Sequence, residues 1–308
     1  MTTFTVYRRD TEEDIPVAIA TGIEIKNYVD LTAAVDRTYL YSIGALKDGH
    51  EKISHEILVS TVKHPVLSLF KNAEKGLWLD FSDMSLMYQD SSGTLAVSDL
   101  SQPIGRILDK SGNNNHAAQT TSARRPMFQL DGAFFDGVDD VLKTVAAVDY
   151  AKTHYLEVFL KIKSLYRSTS FYGGVTLESG DPSYTASGSG GFISLAPEAD
   201  SAIVAGSNTS ISNVAVLYPG SGRVYDGVYS IRINNSEVAL VGKDQSYSEP
   251  KTGTTAIRTD FLNIGARTRG GVPDPYLGFY GYIKQLVIVN RELTALERSN
   301  LTAFLEPH

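Results

Sequence analysis

The chain has 308 residues, 42% of them hydrophobic and 20% charged, and its formal net charge is -7. That composition is globular rather than disordered, and with no basic arm or stripe to neutralise phosphates it excludes a nucleic-acid partner. There is no cysteine, which removes a disulfide framework and a thiolate metal site, and no apolar run approaches the ~20 residues that membrane insertion requires.

The opening "MTTFTVYRRD" has no apolar h-region, so the expectation is a chain without a signal peptide, made and folded in a cytoplasm. "FTVYRR" alternates, the acidic turn "TEED" follows, and "IPVAIA", "TYLYSIGAL" and "HEILVST" continue a set of short strands. "KDGHEK" carries Asp48-Gly49, a hairpin signal between the last two. Residues 62–75 read as a linker, interrupted by Pro65, in which "VLSLF" makes one short amphipathic turn.

From residue 76 the pattern changes to longer β segments rich in Gly, Ser and Asn. "YLEVFLKIK" places Leu156, Val158, Leu160 and Ile162 on one face of a strand. "VYSIRINNSEVALVGKD" reads as a hairpin turning at Asn234, Asn235 and Ser236, and "FLNIGAR" and "YIKQLVIVN" are two further strands. Strands and helices do not alternate, which excludes a doubly wound α/β fold. One helix closes the chain: Thr294 and Glu297 form a capping box, and Leu296, Leu301, Phe304 and Leu305 give an apolar stripe.

"FFDGVDDVL" puts Asp136, Asp139 and Asp140 within five positions, and three chemistries compete for them. Asp and Gly are the residues of tight turns. Calcium takes six to eight oxygens, and "DKSGNNN" offers Asp109, Asn113 and Asn115 as further ligands. Paired carboxylates can also serve glycoside hydrolysis. Zinc fits less well, because no two of the six histidines stand at helical ligand spacing. Trp78 reads as core rather than a sugar platform, and His116 as a turn or strand residue rather than a ligand. Tyr172, Tyr184, Tyr218, Tyr225, Tyr247 and Tyr276 lie in Gly/Ser-rich stretches. They are either ordinary sandwich tyrosines or a ligand-binding set, since tyrosine supplies contact area at low entropy cost.

Two resemblances organise these readings. Val35, Arg37, Tyr39, Tyr41, Ile43 and Ala45 are similar to the F strand of a fibronectin type III domain, with Tyr41 at the tyrosine corner and Arg37 and Tyr39 departing from the family's Pro and Thr. Residues 1–61 are too few for that domain's ~100, so the resemblance implies a partial module that lacks its opening strands. Such a module exposes an edge and an apolar face. It would be completed by, or docked on, other tail or baseplate proteins.

Residues 76–308 resemble a concanavalin A-like, laminin-G-like jelly roll common in tailed-bacteriophage proteins. "LWLDFSDMS", "SSGTLAV", "QPIGRILDKSGNNNHAAQ", "RRPMF" and "FFDGVDDVL" stand in the family's order, and "NRELTALERSNLTAFL" matches its ending. Roughly 165–225 is unmatched and is where variable loops are expected. Glycosidases of that fold carry Glu-x-Asp-x-x-Glu on one strand; here Glu157 stands alone. Some relatives bind calcium at a loop rim.

The resemblance implies an all-β, non-enzymatic tail-tip or receptor-binding protein of the phage virion, assembled in the host cytoplasm. It would bind a host-surface glycan or protein, as a homotrimer. The alternatives are a structural baseplate or tail decoration protein that never touches the cell, and a sugar-binding adhesin module.

Overall fold

The structure is a computed structural model. It describes residues 2–10, 14–23, 38–60, 64–146, 155–165, 175–177, 203–206, 214–217, 226–234, 236–242, 246–250, 261–269 and 272–306. The chain divides into two compact units, Met1–His64 and Pro65–His308.

The first unit is one antiparallel sheet of β1 (Thr3–Arg9), β2 (Val17–Ile23), β3 (Thr38–Lys47), β4 (His50–Ile53) and β5 (Ile57–Ser60). The order is β2-β1-β3-β4, with β5 also on β3. Asp48 and Gly49 both have positive φ, at 52° and 82°, the pairing that a two-residue type I′ hairpin requires. The hairpin they close is β3–β4, not one between β3 and β5. His50, Glu51, Lys52 and Ile53 are all exposed, so their strand leaves no alternation to read. Val6 and Tyr39 are buried, whereas Ile43, Ile57 and Val59 on the same face are 48%, 65% and 40% exposed. Tyr41 pairs with Ile57 across β3–β5. Val35 and Arg37 lie outside the described residues.

The second unit begins at Pro65, so most of the expected linker belongs to it. Val66, Leu69 and Phe70, around a 3-10 turn at Leu67–Phe70, are buried with Trp78, Phe159, Leu301 and Leu305. Burial of those apolar side chains ties down a stretch whose proline suggested a free connector.

Two sheets face each other here. The larger holds β6 (Gly76–Asp80), β10 (Met127–Gln129), β11 (Gly132–Asp136), β13 (Leu156–Ser164), β17 (Asp226–Ile233), β18 (Glu237–Val241), β19 (Ser246–Pro250) and β23 (Tyr280–Val289). Its order is β10-β11-β23-β13-β17-β18-β19, and β6 lies beside β23 next to β11. The smaller holds β7 (Met87–Tyr88), β8 (Arg106–Ile107), β9 (Ala117–Ala118), β12 (Leu142–Thr144), β14 (Val175–Leu177) and β20 (Leu262–Ile264). Two separate hairpins are β15 (Ile203–Gly206) with β16 (Val214–Leu217), and β21 (Ala266–Arg269) with β22 (Val272–Gly278).

One core joins the inner faces. Leu77, Phe135, Val158, Leu160, Ile162 and Leu286 come from the larger sheet, and Met87, Ile107, Leu142, Leu262 and Ile264 from the smaller. The unit is therefore an all-β sandwich closed by one helix, α1 (Ala295–Leu305).

That helix makes the larger sheet a buried layer on its outer side as well. The four residues expected on one face of β13 point into the core. Phe159 points the other way, into a second cluster with Trp78, Val287, Val289, Leu301 and Leu305. Thr294 and Glu297 form the expected capping box. Leu301 and Leu305 are buried, and the Phe304 ring meets Trp78 edge-on at 6.3 Å. Leu296 is off the stripe and 69% exposed, because five residues from Leu301 is about 140° around a helix.

The helix is fastened by Glu157, which β13 holds at the outer face and which is 2% exposed. Its carboxylate accepts from Arg298 Nε at 2.8 Å and Nη2 at 2.6 Å, and from the Leu293 N–H at 2.8 Å. Removing one partner of a buried ion pair costs about 3–5 kcal/mol, because the remaining charge is stranded. Arg298→Ala is expected to lose stability in that range by denaturant unfolding. Arg298→Lys should recover only part of it, since a point charge cannot reproduce the fork. A loss no larger than that of an exposed surface substitution would mean that the pair does not hold the helix.

Candidate functional site

The residues singled out by sequence separate into three groups. The first is β6 and the loop after β8. Asp80 is buried; its Oδ1 accepts from Ser82 Oγ at 2.5 Å, and its Oδ2 from Lys110 Nζ at 3.1 Å. Lys110 also reaches Asp83 at 3.2 Å and lies 4.4 Å from the centre of the buried Trp78 ring. Trp78 is thus a core residue carrying a cation on its face.

Asp109 is buried too. It accepts four bonds: from the N–H groups of Trp78, Ser111 and Asn115 at 2.8, 2.9 and 2.9 Å, and from Ser111 Oγ at 2.8 Å. Asn113 and Asn115 donate to the carbonyls of Glu74 and Gly76 at 3.0 and 2.7 Å. His116 Nδ1 accepts from the Asp109 N–H at 2.9 Å, and burial lowers its pKa. The loop is a knot whose polar atoms are spent on the backbone of β6.

The second group is the "DGVDD" turn after β11. The oxygens of Asp136, Asp139 and Asp140 all lie within 4.8 Å of one another. Asp136 Oδ1 accepts from the Val138 N–H at 2.8 Å, the short-range bond of an Asx turn. Asp140 Oδ2 accepts from the Asp136 N–H at 3.0 Å. Arg124 Nε stands 3.5 Å from Asp139. Gly265, at φ +95°, lets Phe135 pack where a Cβ would come within 2.1 Å of its ring. Burial raises the Asp140 carboxyl to about 7, and the charges of Asp136 and Asp139 push the same way.

These two groups do not meet. The short β9–β12 ladder separates them: Val145 bonds to His116 at one end, and Gln119 and Arg124 bond to Val141 at the other. Asp109, Asn113 and Asn115 therefore do not join Asp136, Asp139 and Asp140 in one calcium shell. Three carboxylates, one of them already facing an arginine, make an incomplete one. The turn chemistry accounts for the hydrogen bonds of both loops.

The third group is the tyrosines. Tyr172, Tyr184, Tyr218 and Tyr225 lie outside the described residues. The backbone places Tyr247 on β19, paired with Leu240, and Tyr276 on β22. Sequence reading passed over three other rings, Phe134, Tyr280 and Tyr282, which the larger sheet brings together on its outer face. Tyr280 and Tyr282 alternate by two in "GFYGYIK", and Phe134 stands beside the core residue Phe135 in "FFDG".

No family model matches the chain, and no curated protein sequence matches it. Solved structures do. A GH54 α-L-arabinofuranosidase soaked with a cyclic sulfate inhibitor aligns with TM-score 0.54 and 14% identity, over 79% of this chain and 65% of its own. The Ruminococcus gnavus IT-sialidase CBM40 bound to α2,3-sialyllactose aligns with TM-score 0.34 and 10% identity, over 52% of this chain and 92% of its own. Botulinum neurotoxin type C, whose cell entry depends on interaction with two ganglioside molecules, aligns with TM-score 0.44 and 11% identity, over 77% of this chain and 53% of its own. Only the first of these exceeds 0.5, and at its identity it shows the fold alone, an all-β sandwich. The chain spans about 65% of that enzyme's length.

Asp140 gives a test of the turn. Its folded pKa of about 7 lies above the ordinary 3.8. Below pH 4 the carboxyl is neutral in both states and folding is not penalised. As pH rises toward 7 the unfolded chain releases the proton and the folded chain keeps it, so stability falls across that window. Asp140→Asn removes the penalty. Its melting temperature, measured in EDTA, should match the native chain near pH 4 and exceed it by several degrees at pH 8. A constant difference across the range would mean that the carboxyl ionises normally in the fold.

Proposed function

We propose that this chain is a tailed-phage virion protein that attaches to a glycan on the host surface and does not cleave it. In this reading residues 65–308 are a concanavalin A-like, laminin-G-like jelly roll, and residues 1–64 dock it on other tail or baseplate proteins. The five sequence blocks and the C-terminal helix support the family. A two-sheet sandwich is a scaffold on which glycan recognition is common, although fold alone does not assign function.

The observation that carries the reading is how the carboxylates of β13, β6 and the loop after β8 are engaged. Glu157, the one glutamate of the strand where a concanavalin-like glycosidase would hold its pair, is buried against Arg298 on the outer face. Asp80 is engaged by Lys110 and Ser82, and Asp109 by four donors. A retaining or inverting hydrolase needs two carboxyls facing the bond that breaks. A binding protein needs none.

Purified chain is expected to bind host cells and to block infection when added first. It should release no reducing ends from host surface polysaccharide. Release that disappears on substitution of one carboxylate would make it an enzyme. A virion-bound chain that never contacts cells would make it a brace. Attachment by a small sugar site also calls for several linked copies, because linkage raises avidity by ~10² to 10⁴. Light scattering should therefore give about three times the 33.5 kDa chain mass; a monomer at every concentration would move the multivalency to the virion.

A further inference from the structure

Among the described residues, the outer face of the larger sheet is covered over only part of its length. Helix α1 and the 3-10 turn sit where Trp78, Phe159, Val287 and Val289 gather. Tyr282 is five residues from Val287 on β23, about 17 Å along the strand. At that end β6 no longer flanks β23 and β11 takes its place: Gln285 pairs with Asp80, whereas Tyr282 pairs with Phe134.

A continuous row of side chains crosses five strands there. Met127 pairs with Phe134, Phe134 with Tyr282, Tyr282 with Lys163, and Lys163 with Asp226. Paired residues share a face, and four strand spacings make the row about 19 Å long. Tyr280, two residues from Tyr282, joins it. The Phe134 ring lies 5.2 Å from Tyr282, tilted at 47°, and 5.9 Å from Tyr280, edge-on at 70°. All three rings are half-buried. They are held by one another on a rigid sheet, so no ordering is left for a ligand to impose. Lys163 Nζ is 5.8 Å from the Tyr282 ring and bonds Asp131 Oδ2 at 2.7 Å. Those two side chains are 41% and 48% exposed.

We infer that Phe134, Tyr280 and Tyr282, rimmed by Lys163 and Asp131, form a binding platform for an uncharged pyranose. A pyranose has an apolar face of C–H groups and an equatorial ring of hydroxyls. It needs an aromatic surface beside a donor and an acceptor together, and the rings with the exposed ion pair supply both. The occupant is not a protein, because three half-buried rings fall far short of the ~800 Å² per partner that a specific protein interface buries. A neutral sugar suits the platform better than an acidic one, because the lysine and the carboxylate at its rim, Lys163 and Asp131, offset each other's charge at 2.7 Å.

This inference rests on the glycan-attachment reading and names where and what that surface binds. The test is a glycan array carrying neutral hexose- and N-acetylhexosamine-terminated oligosaccharides beside sialylated and uronic ones, probed with the full chain. The native chain is expected to bind neutral glycans. Tyr282→Ala and Phe134→Ala should each weaken that binding by roughly ten-fold or more, with little change in melting temperature because the rings are half-exposed. Asp131→Asn, at an exposed hairpin tip, should weaken it too and cannot unfold the sheet. Tyr282→Phe, which keeps the ring, should retain most of it. Native binding that survives Tyr282→Ala and Asp131→Asn unchanged would overturn the platform and leave glycan attachment standing. Binding confined to acidic glycans would also overturn it. A native chain that binds host cells but no glycan would defeat both, by showing a protein receptor.

Discussion

A carboxylate buried in the middle of a sheet is tolerable only if something charged is brought to it, and Glu157 brings the C-terminal helix. Its two oxygens take the Arg298 fork and the Leu293 N–H, just ahead of the helix cap at Thr294. The helix is thereby fixed in angle as well as position, since a bidentate pair tolerates little rotation. Phe159, Trp78, Val287 and Val289 then find partners in Leu301 and Leu305. An apolar surface alone would let a helix slide along the sheet; the buried pair gives it one seat. Glu297 strengthens that seat from the other side. It closes the cap on Thr294 and accepts from Arg291, whose hydrogen bond lowers its pKa to about 2. Whether such pairs add net stability depends on their desolvation, but their value in choosing a single arrangement follows from geometry here.

The aspartates illustrate how little residue type decides by itself. Asp109 and Asp140 are both buried and both accept backbone N–H groups. Asp109 receives four donors, enough to satisfy an ionised carboxylate. Asp140 shares its turn with two other carboxylates, so burial and like charge favour the proton. The first organises a loop by collecting backbone donors from β6 and from its own turn. The second is a point of electrostatic tension beside a glycine-dependent packing contact with Phe135. A string of aspartates in sequence looks the same in both cases. The difference lies in how many N–H groups the fold aims at each one.

Much of the sandwich was legible because its strands alternate. β1, β3, β13 and β23 are each marked by period-two apolar residues, and Thr294 with Glu297 marks the helix start. What failed to show was anything set by coverage. Nothing in "YLEVFLKIK" says that Phe159 and Glu157 meet a helix about 140 residues later. Nothing in "VLSLF" separates a tethered turn from a linker. Leu296 was misplaced because an apolar residue near a stripe is easily counted into it. The exposed β4 carries no pattern at all. The candidate rings were sought in Gly/Ser-rich stretches, where tyrosine looks out of place. Phe134, Tyr280 and Tyr282 sit instead in regular strands, where an aromatic residue is ordinary, and among the described residues the helix ends short of them.

That end point ties the anchor to the platform. A longer helix, or one seated further along β23, would cover Tyr282 and its neighbours. The Glu157–Arg298 pair holds the helix over the β6 half of the sheet, so among the described residues the β11 half stays accessible. The price of such a surface is affinity. Three rings and one exposed ion pair offer a small contact, and a small ligand contact must first offset the freedom lost on association. Exposed charges add little in water. One platform therefore binds weakly, and its use depends on being repeated within the reach of one cell surface. A weak, rigid, neutral site suits that arrangement. Each copy can let go quickly while its linked neighbours keep hold, and the sum tightens without any single contact becoming strong.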